Sequence, residues 1–175
     1  MKRIAQFEKV SFDLFAAAAK EFAEARKITM SDEEILSAYE GIKLPTRATT
    51  GSAGYDISTP FALSLRPGDS VKIPTGIRVR MEEGWVLQLY PRSGLGFKFR
   101  LQLNNTVAII DEDYYYSDNE GHIMVKITDD SKENKSIDLV AGQGFCQGIF
   151  YEYGVTYDDD ASAVRNGGFG STDKK

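Results

Sequence analysis

The sequence predicts an all-β barrel or jelly roll that carries a helical segment near its N-terminus. From residue 53 onward, turn signals separate short runs of alternating apolar and polar residues, as where Ile77, Val79 and Met81 alternate with arginines. Many short strands at this spacing are typical of barrels and jelly rolls. Between residues 12 and 40, by contrast, apolar residues recur every three or four positions, which is the period of a helix.

Two helices are predicted within residues 12–40. Ser11 can cap the first helix, whose apolar stripe consists of Phe12, Phe15, Ala16, Ala19, Phe22 and Ala23. Ser31 and Glu34 match the S-x-x-E capping box at the start of the second helix, and Gly41 is placed to end it.

The β region is divided by turn signals and ends in a glycine-rich tail. The turn signals lie at residues 66–69, 74–76 and 82–84, and residues 85–90 and 122–127 alternate like strands. Residues 165–175 contain almost no bulky apolar side chain, which predicts a mobile arm. We therefore expect a single domain over residues 1–172, with a helical insertion at about 11–43 and a mobile C-terminal arm at about 160–175.

Composition narrows the classes of partner. The 175 residues carry a net charge of −5, which disfavours the coating of duplex DNA or anionic lipid but allows a small anion to bind in a local basic pocket. Because Cys146 is the one cysteine, no intrachain disulfide can form. No apolar stretch approaches the roughly 20 residues of a membrane span. We expect a cytoplasmic protein without nucleic-acid or membrane partners.

Two short segments combine side chains that suit anions or metals. Residues 53–57 (AGYDI) join a glycine, an aromatic ring and Asp56, although a strand start with a turn carboxylate has the same pattern. Residues 91–96 (PRSGLG) place Arg92, Ser93 and two glycine amides close together, as in a phosphate cradle. An ordinary polar turn is the alternative there.

Three further segments carry candidate groups. In residues 105–114 an apolar strand delivers carboxylates to its end, where they could bind metal, activate water or stand as solvated turn residues. Residues 142–148 (GQGFCQG) contain Gln147, which a simple outward strand position would also explain. Residues 165–172 (RNGGFGST) can wrap a triphosphate and stack Phe169 on a base, or form a flexible tail.

Taken in order, AGYDI, PRSGLG, IIDEDY, GQGFCQG and RNGGFGST resemble the five sequential motifs of the trimeric dUTPase family. The resemblance covers residues 44–172 and a first strand at residues 3–10. It implies a jelly-roll-like β-barrel and a homotrimer with shared active sites, in which the arm of one chain closes over a site formed by the others. It also implies hydrolysis of dUTP to dUMP and pyrophosphate, which limits uracil in DNA and supplies dUMP for thymidylate synthesis.

The third motif would supply the catalytic and nucleoside-binding groups. By resemblance, Asp111 is the general base that deprotonates the water attacking the α-phosphorus. Tyr114 would pack flat under the deoxyribose and leave no room for a 2′-hydroxyl. Asn105 and the hairpin backbone, including Ile110, would hydrogen-bond the uracil edge and reject the thymine methyl group.

The other motifs would hold the triphosphate. The resemblance gives phosphate contacts to Arg92, Ser93, Gly94 and Gln147. Asp56 would act on Mg²⁺ through water or have a structural role, and the Mg²⁺ cofactor would bridge phosphate oxygens. In the arm, Arg165 would clamp the terminal phosphate and Phe169 would stack on uracil. Further substrate contacts would come from Gly170, Ser171 and Thr172.

Several residues depart from the family pattern. Gly144 stands where the family usually has arginine, and Ala108 stands where it usually has glycine. The turn after Tyr114 is longer than the usual tight turn, and the fifth motif is about one residue shorter after Arg165. These departures bear on the geometry of the arm more than on the chemistry.

Two other functions compete with dUTP hydrolysis. A dCTP deaminase would share the fold, but it needs polar groups that activate the cytosine amine, and the strand ending in IIDEDY has the hydrolase pattern. A catalytically weak dUTPase homologue could instead act as a protein-binding switch, for which residues 11–43 would be the natural surface.

Overall fold

The computed structural model describes residues 2–167 and is mostly β within that range. The strands are β1 Ala5–Lys9, β2 Thr46–Arg47, β3 Tyr55–Ser58, β4 Leu63–Leu65, β5 Ser70–Pro74, β6 Ile77–Met81, β7 Trp85–Pro91, β8 Leu101–Leu103, β9 Ala108–Ile110, β10 Met124–Asp129, β11 Ile137–Leu139 and β12 Gly144–Glu152. The helices are α1 Phe12–Arg26, α2 Asp32–Glu40, α3 Ser93–Phe99 and a 3₁₀ helix, Glu112–Tyr116.

The strands pair antiparallel in four sheets. The largest has the order β2-β3-β12-β7-β9, a second has the order β5-β10-β8, and β1-β6 and β11-β4 form two-stranded sheets. The prediction of a mostly-β fold is therefore confirmed. A single closed barrel is not found among the described residues, because short strands such as the two-residue β2 leave the hydrogen-bonded ladders separate.

The two N-terminal helices form where they were predicted. Ser31 Oγ accepts the Glu34 N–H at 3.2 Å and Glu34 Oε2 accepts the Ser31 N–H at 2.7 Å, which completes the capping box. Ser11 does precede α1, but its side chain makes no capping bond, so that expectation was wrong. The Ser11 backbone N–H instead donates to the Glu120 carboxylate at 2.8 Å.

The helical segment shares the hydrophobic core with the sheets. Phe15 and Phe22 stack on Phe61, with ring centroids 5.8 and 4.9 Å apart, and Ile35 of α2 is fully buried. Because these rings fill the interior, α1 and α2 contribute to folding; that they are an insertion stays a prediction. None of the helices between residues 2 and 167 combines the length and apolar character needed to cross a membrane.

One tight turn joins the helices to the site region. Gly76 has φ +70°, and a Cβ there would lie 2.3 Å from Ile42 Cδ1 and 3.0 Å from Phe15 Cδ2, so a larger residue would collide with the helical segment. The Gly76 N–H donates to Nε2 of the buried His122 at 2.9 Å. This turn thus couples the helices to the segment that follows Tyr114.

Beyond β12 the described chain has no regular structure. Residues 153–164 are exposed, whereas Arg165 is partly buried against the 3₁₀ helix region. The predicted arm residues Phe169, Gly170, Ser171 and Thr172 lie outside the described residues.

Candidate active site

The predicted site residues that the structure describes separate into two clusters. The hairpin cluster, around β9 and the 3₁₀ helix, consists of Asn105, Ile110, Asp111, Tyr114 and Arg165. The strand-end cluster, at neighbouring ends of β3, β7 and β12, consists of Asp56, Arg92, Ser93, Gly94 and Gln147.

The hairpin cluster surrounds a cavity of about 170 Å³. All five of its residues line this cavity, together with Ala108, Ile109 and Met124. Strand β9 pairs with β7, with Ile110 opposite Leu87, and Asp111 follows directly at its end. The sequence prediction that an apolar strand delivers a carboxylate to its end is therefore confirmed.

Hydrogen bonds to its hydroxyl hold the Tyr114 side chain in place. Its ring is buried, and its hydroxyl donates to the His122 carbonyl at 2.9 Å while accepting from Asn119 Nδ2 at 2.8 Å. Burial raises the pKa of Tyr114, and the Asn119 hydrogen bond acts in the opposite direction. The guanidinium carbon of Arg165 lies 5.9 Å from the ring centroid. Tyr114 thus has a fixed hydroxyl end and a ring that borders the cavity.

Arg165 binds the carboxylate that was predicted to be the general base. Its Nη2 donates to Asp111 Oδ2, and its Nε donates to Asp113 Oδ1 at 2.8 Å. Both bonds lie within one chain. From the sequence, Arg165 was predicted to bind a phosphate, and Asp113 was one of several candidate carboxylates without an individual role; the D-x-D spacing of the two acids was the available signal.

Arg92 is the cation of the strand-end cluster. Its Nε lies 3.2 Å from Asp56 Oδ1, and its Nη1 donates to the Gly144 carbonyl at 3.3 Å. Asp56 in turn lies opposite Gln147 in the β3–β12 register. The three motifs that carry these residues are separated along the sequence, but they meet at neighbouring strand ends in the middle of the largest sheet.

Two glycines make room for the polar side chains of this cluster. A Cβ on Gly144 would lie 2.9 Å from Arg92 Nη1, and a Cβ on Gly54 would lie 2.6 Å from Gln147 Oε1. At position 144 the family pattern usually has an arginine. Because this chain has glycine there, the Arg92 guanidinium occupies the space that a side chain at position 144 would take. Sequence reasoning identified the departure but not what fills the space.

Ser93 and Gly94 begin a short helix and do not form a loop. They are the first two residues of α3, and both are exposed. The polar turn that the sequence allowed as an alternative is therefore wrong, whereas the phosphate cradle stays a prediction. The helix was not predicted because the segment contains Gly94 and Gly96, and glycine is less favourable in a helix than alanine by about 1 kcal/mol.

The two clusters are well separated within one chain. Ile110 lies opposite Leu87 in the antiparallel β7–β9 pair, so Asp111 falls beside Val86, and Arg92 lies six positions further along the chain, just after β7 ends. At about 3.3 Å per residue, the backbones of Asp111 and Arg92 are roughly 20 Å apart along the direction of β7. Asp111 and Ser93 therefore cannot both contact one phosphorus atom in this arrangement.

The chain is similar in sequence and in structure to known proteins of one family. The family model described as dUTPase matches residues 40–173. A deoxyuridine 5′-triphosphate nucleotidohydrolase of Lactococcus lactis subsp. lactis (strain IL1403) is 40% identical over 144 residues, which cover 79% of this chain and 95% of that protein. The dUTPase structure from Streptococcus mutans has a TM-score of 0.62 and 30% identity, covering 86% of this chain and 97% of that one.

A phage structure shares the fold at lower identity. A mutant dUTPase from phage phi11 of S. aureus has a TM-score of 0.61 at 17% identity, covering 92% of this chain and 98% of that one. That structure is described with a coordinated structural Mg(II) ion.

Proposed function

The chain belongs to the dUTPase family and hydrolyses dUTP to dUMP and pyrophosphate, and we propose that its two clusters are halves of one active site supplied by different chains. The observation that carries this proposal is the roughly 20 Å separation of Asp111 from Arg92 along the direction of β7. Attack on the α-phosphorus needs the base and the phosphate-binding groups at the same atom. A neighbouring copy of the chain would bring them together.

In the hairpin cluster, Asp111 acts as the general base. Its carboxylate takes a proton from a water molecule, whose oxygen attacks the α-phosphorus while the bond to the α–β bridging oxygen breaks and pyrophosphate leaves. The position of Asp111 at the end of a paired strand supports this role, because a base must be held rigidly. Before attack, Arg165 exchanges this carboxylate for the terminal phosphate of the substrate.

The same cluster recognises the nucleoside. The ring of Tyr114 lies under the deoxyribose, and Asn105 with the backbone at Ile110 binds the uracil edge. The cavity of about 170 Å³ that these residues share supports the assignment, because it offers a ring and polar groups in one small space. The substrate's phosphates then extend toward the neighbouring chain.

In the strand-end cluster, Arg92 supplies the positive charge for the phosphates. Ser93, Gly94 and Gln147 add hydrogen bonds to phosphate oxygens. The ion pair with Asp56 supports this role, because it orients the Arg92 side chain and leaves it half-exposed. The exposure leaves donor groups accessible to a triphosphate.

Asp56, together with phosphate oxygens of the substrate, would hold the Mg²⁺ ion. Within residues 2–167, no three His, Cys, Asp or Glu side chains converge on a common metal position. Asp56 is the carboxylate of the strand-end cluster, and because Arg92 engages it, we propose that it reaches Mg²⁺ through water. When bound, Mg²⁺ would supply positive charge to the phosphates, and it prefers oxygen ligands such as these.

The assembly is a homotrimer. The outer face of the largest sheet exposes Ile109 and Tyr151, which are 51% and 41% exposed, and Ile149 lies opposite Gln88 beside them. Exposed apolar side chains on one sheet face support burial against another chain. We place the reaction in the cytoplasm. The free thiol of Cys146, whose pKa is raised by burial, is compatible with a reducing compartment.

Mixed assemblies test the shared site. Asp111→Asn and Arg92→Ala chains carrying different tags are coexpressed, purified through both tags and assayed for pyrophosphate release. If the halves come from different chains, one of the three sites in each doubly tagged trimer combines intact Asp111 with intact Arg92, so about a third of wild-type activity returns. Light scattering on the same samples should give the mass of three chains.

Two outcomes contradict the proposal. Doubly tagged assemblies without recovered activity would place both halves in one chain. Ammonia release from dCTP without pyrophosphate release from dUTP would overturn the hydrolase function itself, so parallel assays use dUTP, dCTP, dTTP and UTP. A protein-binding switch is not favoured, since the relatives are nucleotidohydrolases.

A further inference from the structure

The segment after Tyr114 wraps closely around that residue. Ser117 Oγ donates to the Tyr114 carbonyl at 2.5 Å. Gly121 has φ +69°, and a Cβ there would lie 2.7 Å from Tyr115 Cα and 2.8 Å from the Tyr114 carbonyl oxygen. The longer turn that the sequence shows after Tyr114 is therefore folded back as a tight support for it.

Asn119 has a defined orientation in this turn. Its Oδ1 accepts the Gly121 N–H at 3.2 Å, so its Nδ2 must be the atom that faces the Tyr114 hydroxyl at 2.8 Å. The Asn119 carbonyl also accepts the His122 N–H at 3.0 Å. The local turn thus fixes which end of the amide meets Tyr114.

The Tyr114 hydroxyl donates one hydrogen bond and accepts another. Its one proton goes to the His122 carbonyl, so the oxygen is available to accept from Asn119. Because the ring is buried, loss of either bond leaves a polar group unsatisfied and frees the far end of the ring to tilt.

The support itself is anchored to other parts of the fold. Glu120 accepts the backbone N–H of Ser11 at the start of α1, and His122 Nε2 accepts the N–H of Gly76. Two residues that closely follow Asn119 are therefore held by distant elements, so the amide can transmit that rigidity to Tyr114.

We propose that Asn119 is a positioning residue that sets the plane of the Tyr114 ring and so determines how strongly the enzyme discriminates dUTP from UTP. The inference rests on the proposed role of Tyr114 as the floor under the deoxyribose. A ring that is tethered at its hydroxyl excludes the 2′-hydroxyl of UTP, whereas a ring free to tilt admits it.

The sharpest variant is Asn119→Ser. A serine hydroxyl can still accept the N–H two residues ahead and keep the turn, but it is too short to reach Tyr114. We expect the ratio of kcat/KM for UTP to that for dUTP to rise about five- to tenfold, as for loss of one hydrogen bond. The kcat for dUTP should change less than the KM for UTP.

A double-mutant cycle separates positioning from general loss of structure. Tyr114→Phe, which lacks the hydroxyl, should raise the same ratio, and Asn119→Ser should add nothing further in that background. Asp118→Ala, an exposed neighbour in the same turn, is the matched control and should leave the ratio unchanged.

Three results would overturn the inference. An unchanged ratio in Asn119→Ser, where Tyr114→Phe does change it, would remove Asn119 from the discrimination. Full additivity of the two substitutions would mean that Asn119 acts through another route. If Tyr114→Ala itself left the ratio unchanged, the proposed floor under the sugar would fail and the inference would fail with it.

Discussion

Tyr114 in the hairpin cluster and Arg92 in the strand-end cluster are held in different ways. Tyr114 is 7% exposed, and its hydroxyl makes two hydrogen bonds inside the fold. The Arg92 side chain is 43% exposed, has one acidic partner and lies against Gly144, which has no side chain. The first arrangement fixes shape, and the second leaves a charge free to adjust. The difference fits what each half must bind, because a nucleoside is selected by shape and a triphosphate mainly by charge.

Loss of the base should have the largest effect and should separate chemistry from binding. In Asp111→Asn the amide keeps the shape but cannot accept the proton of water, so pyrophosphate release should fall by about 10²–10⁴-fold or more while nucleotide binding remains largely intact. Stopped assays and calorimetric binding of dUTP measure the two quantities separately.

Asp113→Asn is the control for this prediction. Arg165 contacts both acids, so both variants disturb that ion pair, but only Asp111 is proposed to take the proton. Equal losses in the two variants would mean that the ion pair, and not the base, limits the reaction.

The helices differ in how far the sequence could predict them. The capping box of α2 and the stripe of α1 depend on neighbours a few residues apart, so the sequence predicted both. The helix α3 was missed because Leu95 and Phe99, which pack against the core, outweigh two glycines, and such packing is not visible locally.

Long-range partners were the part that could not be predicted. The motifs identified Asp111, Arg92 and Arg165 as site residues, but their separation and pairing follow from strand register, which places residues far apart in sequence side by side. Asn119 was seen only as part of an overlong turn, because its role depends on where a buried hydroxyl points.

The rigidity of the hairpin side should depend on pH through His122. Burial lowers the pKa of His122 to about 4, and its Nε2 must be unprotonated to accept the Gly76 N–H. The unfolded chain binds this proton near pH 6.5, so stability should be complete above that pH and fall by about 3 kcal/mol as pH drops to about 4.

Denaturant unfolding between pH 7 and pH 4 at constant protein concentration measures this effect. His122→Gln removes the titrating group, so its stability should fall less steeply than that of the wild type over the same window. Parallel curves for the two proteins would show that His122 does not carry the pH dependence.

The arm should affect turnover more than folding. Arg165→Ala removes a guanidinium that bonds Asp111 and Asp113, and loss of such charge-assisted contacts to a substrate should lower kcat/KM about tenfold to a hundredfold. The melting temperature should hardly change, because residues 153–164 are exposed and Arg165 is only partly buried. Val164→Ala, at an exposed neighbouring position, should retain the full rate; a full rate in Arg165→Ala would remove the arm from the mechanism.

The smallest effect is expected at Gly144, where it tests how adjustable the strand-end cluster is. Gly144 does not have positive φ, so alanine is compatible with its backbone, but the new Cβ would lie 2.9 Å from Arg92 Nη1 and 3.4 Å from Arg92 Cδ. A flexible, half-exposed side chain can yield by a few tenths of an ångström at little cost in stability. The displaced guanidinium would then meet the phosphates less well, so kcat/KM should fall about threefold to tenfold, mainly through KM.

Gly148→Ala provides the contrasting control on the same strand. Its Cβ would lie 2.8 Å from Cδ1 of Leu87, which is fully buried and cannot move into solvent, so this substitution should lower the melting temperature. Gly144→Ala should instead lower kcat/KM while the melting temperature stays within experimental error. If Gly144→Ala lost stability as Gly148→Ala does, Arg92 would be held as rigidly as Tyr114, and the contrast between an adjustable phosphate half and a fixed nucleoside half would not hold.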